Sequence, residues 1–320
     1  MSEWLREVIV WAIVKGFRLL YVGGIGRSGS TLIERLLGEL PEVCSVGEVV
    51  HMWRRSLVDD EKCGCGRPFG SCDFWHEVGV EAFGGWDRVD AHELLALQRG
   101  VDRTRYIPWL ICGRAPAALA ARVERYTDFY DRLYTAVARV SGCSVIVDSS
   151  KHASLAVCLR QRYADRLRLL HVVRDPRAVA YSWGKHMVRP DATPTSPEQE
   201  MARYSPSRAA VQWMTQNSVL AELARRGTPT MRVRYEDFVA DPAREFRAIA
   251  EFAGGTGATP IGPDGAALLS PGHTVSGNPL RFSTGAVAVR PDVSWRGELR
   301  PRNRIMVSAL TFPARRRFGY

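Results

Sequence analysis

Lysine is nearly missing from this chain: only Lys15, Lys62, Lys151 and Lys185 occur, and every other basic residue among the 44 is arginine. The formal charge of +10 at pH 7 therefore sits on guanidinium groups, whose planar forks suit phosphate and sulfate. Long apolar runs are missing too. The run Val8 to Val14 falls far short of the ~20 residues a membrane span needs. Glu3 and Glu7 before it do not make the basic start of a signal peptide, so a soluble, cytoplasmic protein is expected, with no stable membrane insertion. Cysteine is sparse and odd in number, seven in all, which argues against a fully paired secreted framework. Internal repeats and low-complexity tracts are absent, and basic runs such as Arg315-Arg316-Arg317 carry no interleaved aromatics. Nucleic acid is therefore not expected as a partner.

What is present fits a globular enzyme-sized unit. The chain has 320 residues, 46% hydrophobic and 24% charged, and is read as a single domain spanning 1–320. Arg18 to Gly23 is a short apolar run ending in glycines, followed by Thr31 to Leu40 with leucines at helical spacing. The same grammar recurs at Ser144 to Asp148, at Leu167 to Val173 and at Thr230 to Tyr235, each before a helical stretch. Four strands alternating with helices predict an α/β fold with a parallel sheet flanked by helices, which the glycine spacing of the first turn makes P-loop-NTPase-like. Residues 59–116, rich in Cys, Gly and Trp, read as a helical, cysteine-containing insertion or cap, and Ala117 to Val140 as a long amphipathic helix. The Arg189 to Pro197 segment reads as a loop and Gly254 to Gly277 as a Gly-rich, mobile one.

The turn Gly23-Gly24-Ile25-Gly26-Arg27-Ser28-Gly29-Ser30-Thr31 joins the first strand to its helix. Glycines there let backbone N–H groups converge on an anion at a helix N-terminus. Gly24 and Gly29 have P-loop spacing, yet Ser30 stands where a nucleotide triphosphatase places lysine. An anion site is retained, without the group that reaches the β- and γ-phosphates. The plainer alternative is a tight turn with Ser30 or Thr31 capping the helix. A second candidate follows the third strand: Val173-Arg174-Asp175-Pro176 opens a helix in which Ser182 lies eight residues after Arg174.

Together these elements resemble the two nucleotide-binding motifs of sulfotransferases that use 3′-phosphoadenosine 5′-phosphosulfate (PAPS). Arg27-Ser28-Gly29-Ser30-Thr31 is similar to the loop that holds the 5′-phosphosulfate, in the arginine form of carbohydrate and tyrosylprotein sulfotransferases. Arg174 and Ser182 match the element that holds the 3′-phosphate. The resemblance extends from about Tyr21 to Trp295 and implies a sulfotransferase fold and PAPS as donor, with no metal required. It implies a small-molecule, glycan or lipid acceptor; the sequence leaves the oligomeric state open. It places Gly26 to Thr31, Arg174, Ser182, Tyr235, Asn278 and Arg281 at the nucleotide, Tyr235 near the adenine and Asn278 and Arg281 by the 3′-phosphate. Tyr235 also reads as an ordinary core aromatic. His273 to Phe282, with Asp292 and Trp295, resembles the tail of bacterial members and departs from that of cytosolic aryl sulfotransferases.

For the chemistry, the resemblance implies that Arg27 neutralises the leaving phosphate and that Lys151, after Asp148-Ser149-Ser150, touches the sulfonate. Glu48, 21 residues after Arg27, is the candidate base if its surroundings raise its pKa from about 4.3; His51 and His152 compete for that role. Two other classes stay open: a nucleotide kinase with a variant phosphate loop, and a non-catalytic nucleotide-binding protein. Cys63-Gly64-Cys65 with Cys72 and His76 invites a zinc reading, but zinc motifs place cysteine pairs two to four residues apart and repeat them. A structural thiol cluster or a disulfide is expected there instead. Trp53, Trp75, Trp86 and Trp109 are candidates either for the acceptor pocket, with the insertion and the Arg189 loop, or for the core.

Overall fold

Alternation along β1 (Arg18–Gly24) sends Leu20 and Val22 to one face of the sheet and Leu19 and Tyr21 to the other, and all four are fully buried. A strand buried on both faces needs helices above and below it. The computed structural model describes residues 16–193, 196, 198–255 and 259–320 and shows that arrangement. β2 (Val43–Gly47), β3 (Val145–Lys151), β1, β4 (Leu167–Val173) and β5 (Thr230–Arg234) lie side by side in that order, all parallel.

Helix α1 (Ser30–Leu37) follows β1. The insertion supplies α2 (Asp73–Phe83) and α3 (Ala91–Val101), and α4 (Ala117–Ser141) leads into β3. Then come α5 (Ala153–Arg162), α6 (Pro176–Gly184), α7 (Pro206–Arg225) and α8 (Pro242–Ala253). Proline at the first turn of α6, α7 and α8 fits a position whose N–H has no helical partner. Ile33, Leu36 and Leu37 of α1 pack with Phe246 and Ile249 of α8 on the Leu20/Val22 face. Tyr126, Tyr130 and Tyr134 of α4 pack with Leu155 and Leu159 of α5 on the Leu19/Tyr21 face.

Among the described residues, five strands rather than four make the sheet. β2 escaped the sequence pattern because Val43-Cys44-Ser45-Val46-Gly47 has only two β-branched residues and is the edge strand, with β3 on one side and a single bridge to Val275 on the other. Part of the stretch expected to be a mobile loop forms β6 (Ala266–Leu269), which pairs antiparallel with β7 (Gly285–Ala288). The insertion is continuous with the core, since Cys63, Phe69, Trp75, Val78 and Leu94 share one buried cluster with Leu19 and Tyr21. Trp53 and Trp75 are fully buried there and are core residues, while Trp109 is exposed. Among the described residues no helix is long and apolar enough to cross a membrane. The Val8 to Val14 run, Lys15, Pro194 and Pro197 lie outside the described residues.

This strand order creates a switch point. The chain leaves β1 toward β2 on one side and leaves β4 toward β5 on the other. Ligands of open parallel sheets bind in the crevice beyond the carboxyl ends of the strands at such a point.

Candidate active site

All five parallel strands deliver residues to that crevice. Gly26 to Thr31 follow β1, Glu48 follows β2, Lys151 ends β3, Arg174 follows β4 and Tyr235 follows β5. All of these except the fully buried Ser28 line a cleft of about 260 Å³ together with Ser182, Met201, Asn278 and Asp292. Arg27 and Arg174, 147 residues apart, meet where the topology switches: the Arg174 guanidinium donates to the Arg27 carbonyl at 3.2 Å.

The β1–α1 turn is shaped by close approaches. Gly24 has φ 149°, and a Cβ there would lie 2.4 Å from the Val172 carbonyl oxygen. Gly29 has φ 88°, and its Cβ would lie 2.5 Å from the Tyr235 ring. Arg27 itself adopts φ 73°, a left-handed conformation that is costly for a residue with a side chain. The strain aims its guanidinium into the cleft, where it lies over the Trp183 ring at 5.4 Å and touches Met187 Sδ at 3.0 Å. Trp183 in turn donates its indole N–H to the Gly26 carbonyl at 2.9 Å and stacks on Tyr204.

Several buried donors at or beneath this cleft have no hydrogen-bond partner among the described residues. Arg27 Nη2, Ser28 Oγ and Arg174 Nε are buried and unpaired, an arrangement that costs free energy unless a ligand satisfies it. Such a set of donors fits an anion. Arg174 also lies over the Tyr235 ring at 4.3 Å and pairs with the Asp292 carboxylate at 3.3 Å. Tyr235 is thus half-buried at the cleft and not an ordinary core residue.

Glu48 and Lys151 form the other pole. Lys151 Nζ donates to Glu48 Oε1 at 2.5 Å and to the Ser149 carbonyl at 2.9 Å. The lysine is 7% exposed and has φ 69°, at an irregularity in the β1–β3 register. Burial would raise the Glu48 pKa, but Lys151, His51 and Arg55 outweigh it and hold the carboxyl at about 2. The sequence expectation of a raised pKa is corrected on this point: the group is an ion-paired carboxylate. His51 Nε2 lies 3.6 Å from Glu48 Oε2, and burial and Arg55 push this imidazole down to about 3. The His152 ring meets that of His51 edge-on at 5.7 Å, and its Nδ1 lies 3.1 Å from Asp102 Oδ2. Burial opposes charging His152, yet Asp102 outweighs it and raises the pKa.

Asn278 lines the cleft, with Oδ1 accepting from the Leu280 N–H at 3.1 Å. Arg281 does not reach it. Its guanidinium is fully buried elsewhere, donating to the Thr274 carbonyl at 2.6 Å and the Lys62 carbonyl and pairing with Asp191 at 3.2 Å. The 3′-phosphate assignment of Arg281 is replaced by this structural role. Sequence reasoning missed Asp102, because it sits in the insertion and reaches His152 only through tertiary packing. Met187 had no readable signal either.

A sulfotransferase-family model matches residues 79–256, more than half of the chain and including Lys151, Arg174, Ser182 and Tyr235. The chain belongs to the sulfotransferase family. Among solved structures it is similar to the sulfotransferase STF1 from Mycobacterium tuberculosis H37Rv, at 15% identity over 78% of this chain and 75% of that one, TM-score 0.41. It is also similar to a sulfotransferase from Alicyclobacillus acidocaldarius, at 13% identity over 93% of this chain and 98% of that one, TM-score 0.35. No curated protein matches the chain.

Proposed function

We propose that the chain transfers a sulfuryl group from PAPS to a hydroxyl or amine of a small-molecule, glycan or lipid acceptor, releasing 3′-phosphoadenosine 5′-phosphate (PAP). The observation that carries this reading is the junction of Arg27 and Arg174 at the switch point, with unpaired buried donors on both. A nucleotide bearing phosphates at two positions engages both cationic side chains at once. Ser30 in place of the P-loop lysine disfavours the kinase reading.

The donor supplies an activated sulfur–oxygen bond. The acceptor oxygen or nitrogen bonds to sulfur as the bond to the bridging phosphate oxygen breaks, and the acceptor proton passes to a base. Arg27, Ser28 Oγ and the N–H groups of Gly29 to Thr31 hold the 5′ end and stabilise charge growing on the leaving oxygen. Arg174 and Ser182 hold the 3′-phosphate, with Asn278 beside them, and Tyr235 packs near the adenine. Lys151 faces the sulfonate and Glu48 takes the proton.

The Glu48–Lys151 pair makes base strength conditional. Lys151 is the strongest of the contacts that lower the Glu48 pKa against burial. When the ammonium turns to a sulfonate, the largest contact holding the Glu48 pKa down is lost and Glu48 becomes a stronger base. The hydrogen-bonded His152 and Asp102 pair is the competing base, favoured by its geometry. Calorimetric titration with PAP and with ATP, followed by PAPS-dependent radiolabel transfer to an acceptor library, tests the assignment. Tight PAP binding with transfer supports it. ATP preferred over PAP supports the kinase, and PAP binding without transfer to any acceptor supports a non-catalytic binder.

A further inference from the structure

A cluster outside the cleft accounts for cysteines that the proposed activity does not use. We propose that Cys63, Cys65, Cys72 and His273 form a structural zinc site that clamps the insertion to the segment beside Glu48. Their four donor atoms lie within 4.8 Å of one another. Cys72 Sγ is 3.7 Å from Cys63 Sγ and 3.8 Å from Cys65 Sγ, while His273 Nδ1 is 3.3 Å from Cys72 Sγ and 3.8 Å from Cys63 Sγ. A tetrahedral zinc ion with Zn–S of ~2.3 Å and Zn–N of ~2.05 Å requires S–S edges of about 3.8 Å and S–N edges of about 3.6 Å. The sulfur separations are too long for a disulfide, whose S–S bond is ~2.04 Å. Three thiols and one imidazole suit zinc over magnesium or calcium, which take oxygen ligands.

The surroundings hold these donors in place. Gly66, at φ 88°, donates to the Cys63 carbonyl at 2.8 Å, and the Cys63 N–H donates to Arg67 at 2.8 Å, folding Cys65 back over Cys63. Gly64 donates to the Thr274 carbonyl at 2.9 Å, and a Cβ on it would lie 2.7 Å from the Gly272 carbonyl oxygen. The His273 ring stacks on Phe74 at 4.9 Å, and its carbonyl accepts from the Trp75 indole at 2.8 Å, which fixes the ring toward the sulfurs. His76, the histidine close in sequence, is not part of the cluster. Two residues beyond His273, Val275 accepts from the Glu48 N–H at 2.8 Å and donates to Val46 at 2.9 Å. Zinc bound here fastens the 63–72 turn to the strip that carries the Glu48 backbone. Binding displaces the thiol protons to solvent.

Metal analysis of the full chain, expressed with zinc and purified under reducing conditions, is expected to give about one zinc per chain. Adding Co²⁺ to the metal-stripped protein is expected to give an intense thiolate-to-cobalt charge-transfer band. Cys63→Ser and Cys72→Ser together should abolish both signals, and His273→Ala should weaken zinc retention against a chromophoric chelator at least tenfold. His76→Ala and Cys112→Ser, which lie outside the cluster, should retain one zinc. Less than about 0.1 zinc per chain together with no cobalt band in the wild type overturns the proposal. So do iron as the bound metal, full zinc retention in the double variant, and two of the three cysteines oxidised in reduced preparations. The cobalt and zinc measurements on wild-type protein stand even where a variant fails to fold.

Discussion

Charge at single residues decides what this cleft accepts. Arg27 and Arg174 present unpaired donors to an anion, while Asp292 already sits on Arg174 at 3.3 Å and 3.9 Å from Lys185. Arg27→Ala is expected to lower PAPS-dependent turnover by ~10²–10³-fold, the usual loss when a preorganised donor to a leaving oxygen is removed. Arg174→Ala should instead weaken PAP binding by roughly 10- to 150-fold, as expected for a lost charged hydrogen bond of about 1.5–3 kcal/mol. Calorimetry separates the two. Asp292→Asn removes a competing carboxylate and should tighten PAP binding up to about fivefold at low salt, because the pair is partly exposed and screened. Unchanged or weaker PAP affinity in that variant would show that Asp292 serves the site. For the base, Glu48→Gln should cut turnover by about 10²–10⁴-fold and His152→Gln far less. The reverse order assigns the proton to the His152 and Asp102 pair.

At the scale of the element, the β1–α1 turn depends on positions without a side chain. Gly29 and Gly227 have nearly equal φ, 88° and 86°, but only Gly29 has a ring 2.5 Å from where a Cβ would stand. Gly227→Ala should therefore cost only the backbone strain, about 1 kcal/mol. Gly29→Ala should cost more, roughly 2–4 kcal/mol, and also lose PAP binding as Tyr235 is pushed off Arg174. Denaturant midpoints and PAP titrations of the two variants make the comparison. Helix α1 itself is tied on both sides. Buried Glu34 accepts from Ser45 Oγ at 2.9 Å and from Ser149, and Arg35 donates to the carbonyls of Arg281 and Ser270 at 2.7 and 2.6 Å. These links hold the turn in register with β2, β3 and the C-terminal strip.

For the whole molecule, two buried histidines with lowered pKa values, His171 and His51, contribute a loss of stability in acid. Burial pushes His171 down to about 4, although its Nε2 contacts Asn217 Oδ1 at 2.9 Å, and His51 lies near 3. Both folded-state values lie below the ordinary value of about 6.5. The unfolded chain therefore binds more protons in acid, and the stability these groups contribute is present above pH 6.5 and lost as pH falls through 4 and 3. Glu48, held at about 2, adds the same sign of dependence below about pH 4.5. Each such proton corresponds to a slope of about 1.4 kcal/mol per pH unit within its window. His171→Gln should flatten the stability profile between pH 6.5 and 4 by about one proton, as followed by urea unfolding. An unchanged slope would mean that His171 is charged in the folded protein.

The sequence by itself determined the parallel α/β class and the strand ends that carry Arg27, Lys151, Arg174 and Tyr235, because local alternation, glycine punctuation and the Arg27 and Arg174 motifs are written in contiguous residues. It also singled out Lys151, through the scarcity of lysine. Tertiary structure alone decided what those residues face. Glu48 is a low-pKa carboxylate because Lys151, 103 residues away, reaches it. Arg281 serves the core because Asp191 claims its guanidinium, and β2 completes the sheet because β3 pairs with it. The cysteine spacing 63, 65, 72 looked incomplete because the fourth donor, His273, is brought in by chain closure over about 200 residues. Electrostatic and coordination partners act through space, so a linear pattern names the groups but cannot supply the distances on which their pKa values and ligands depend.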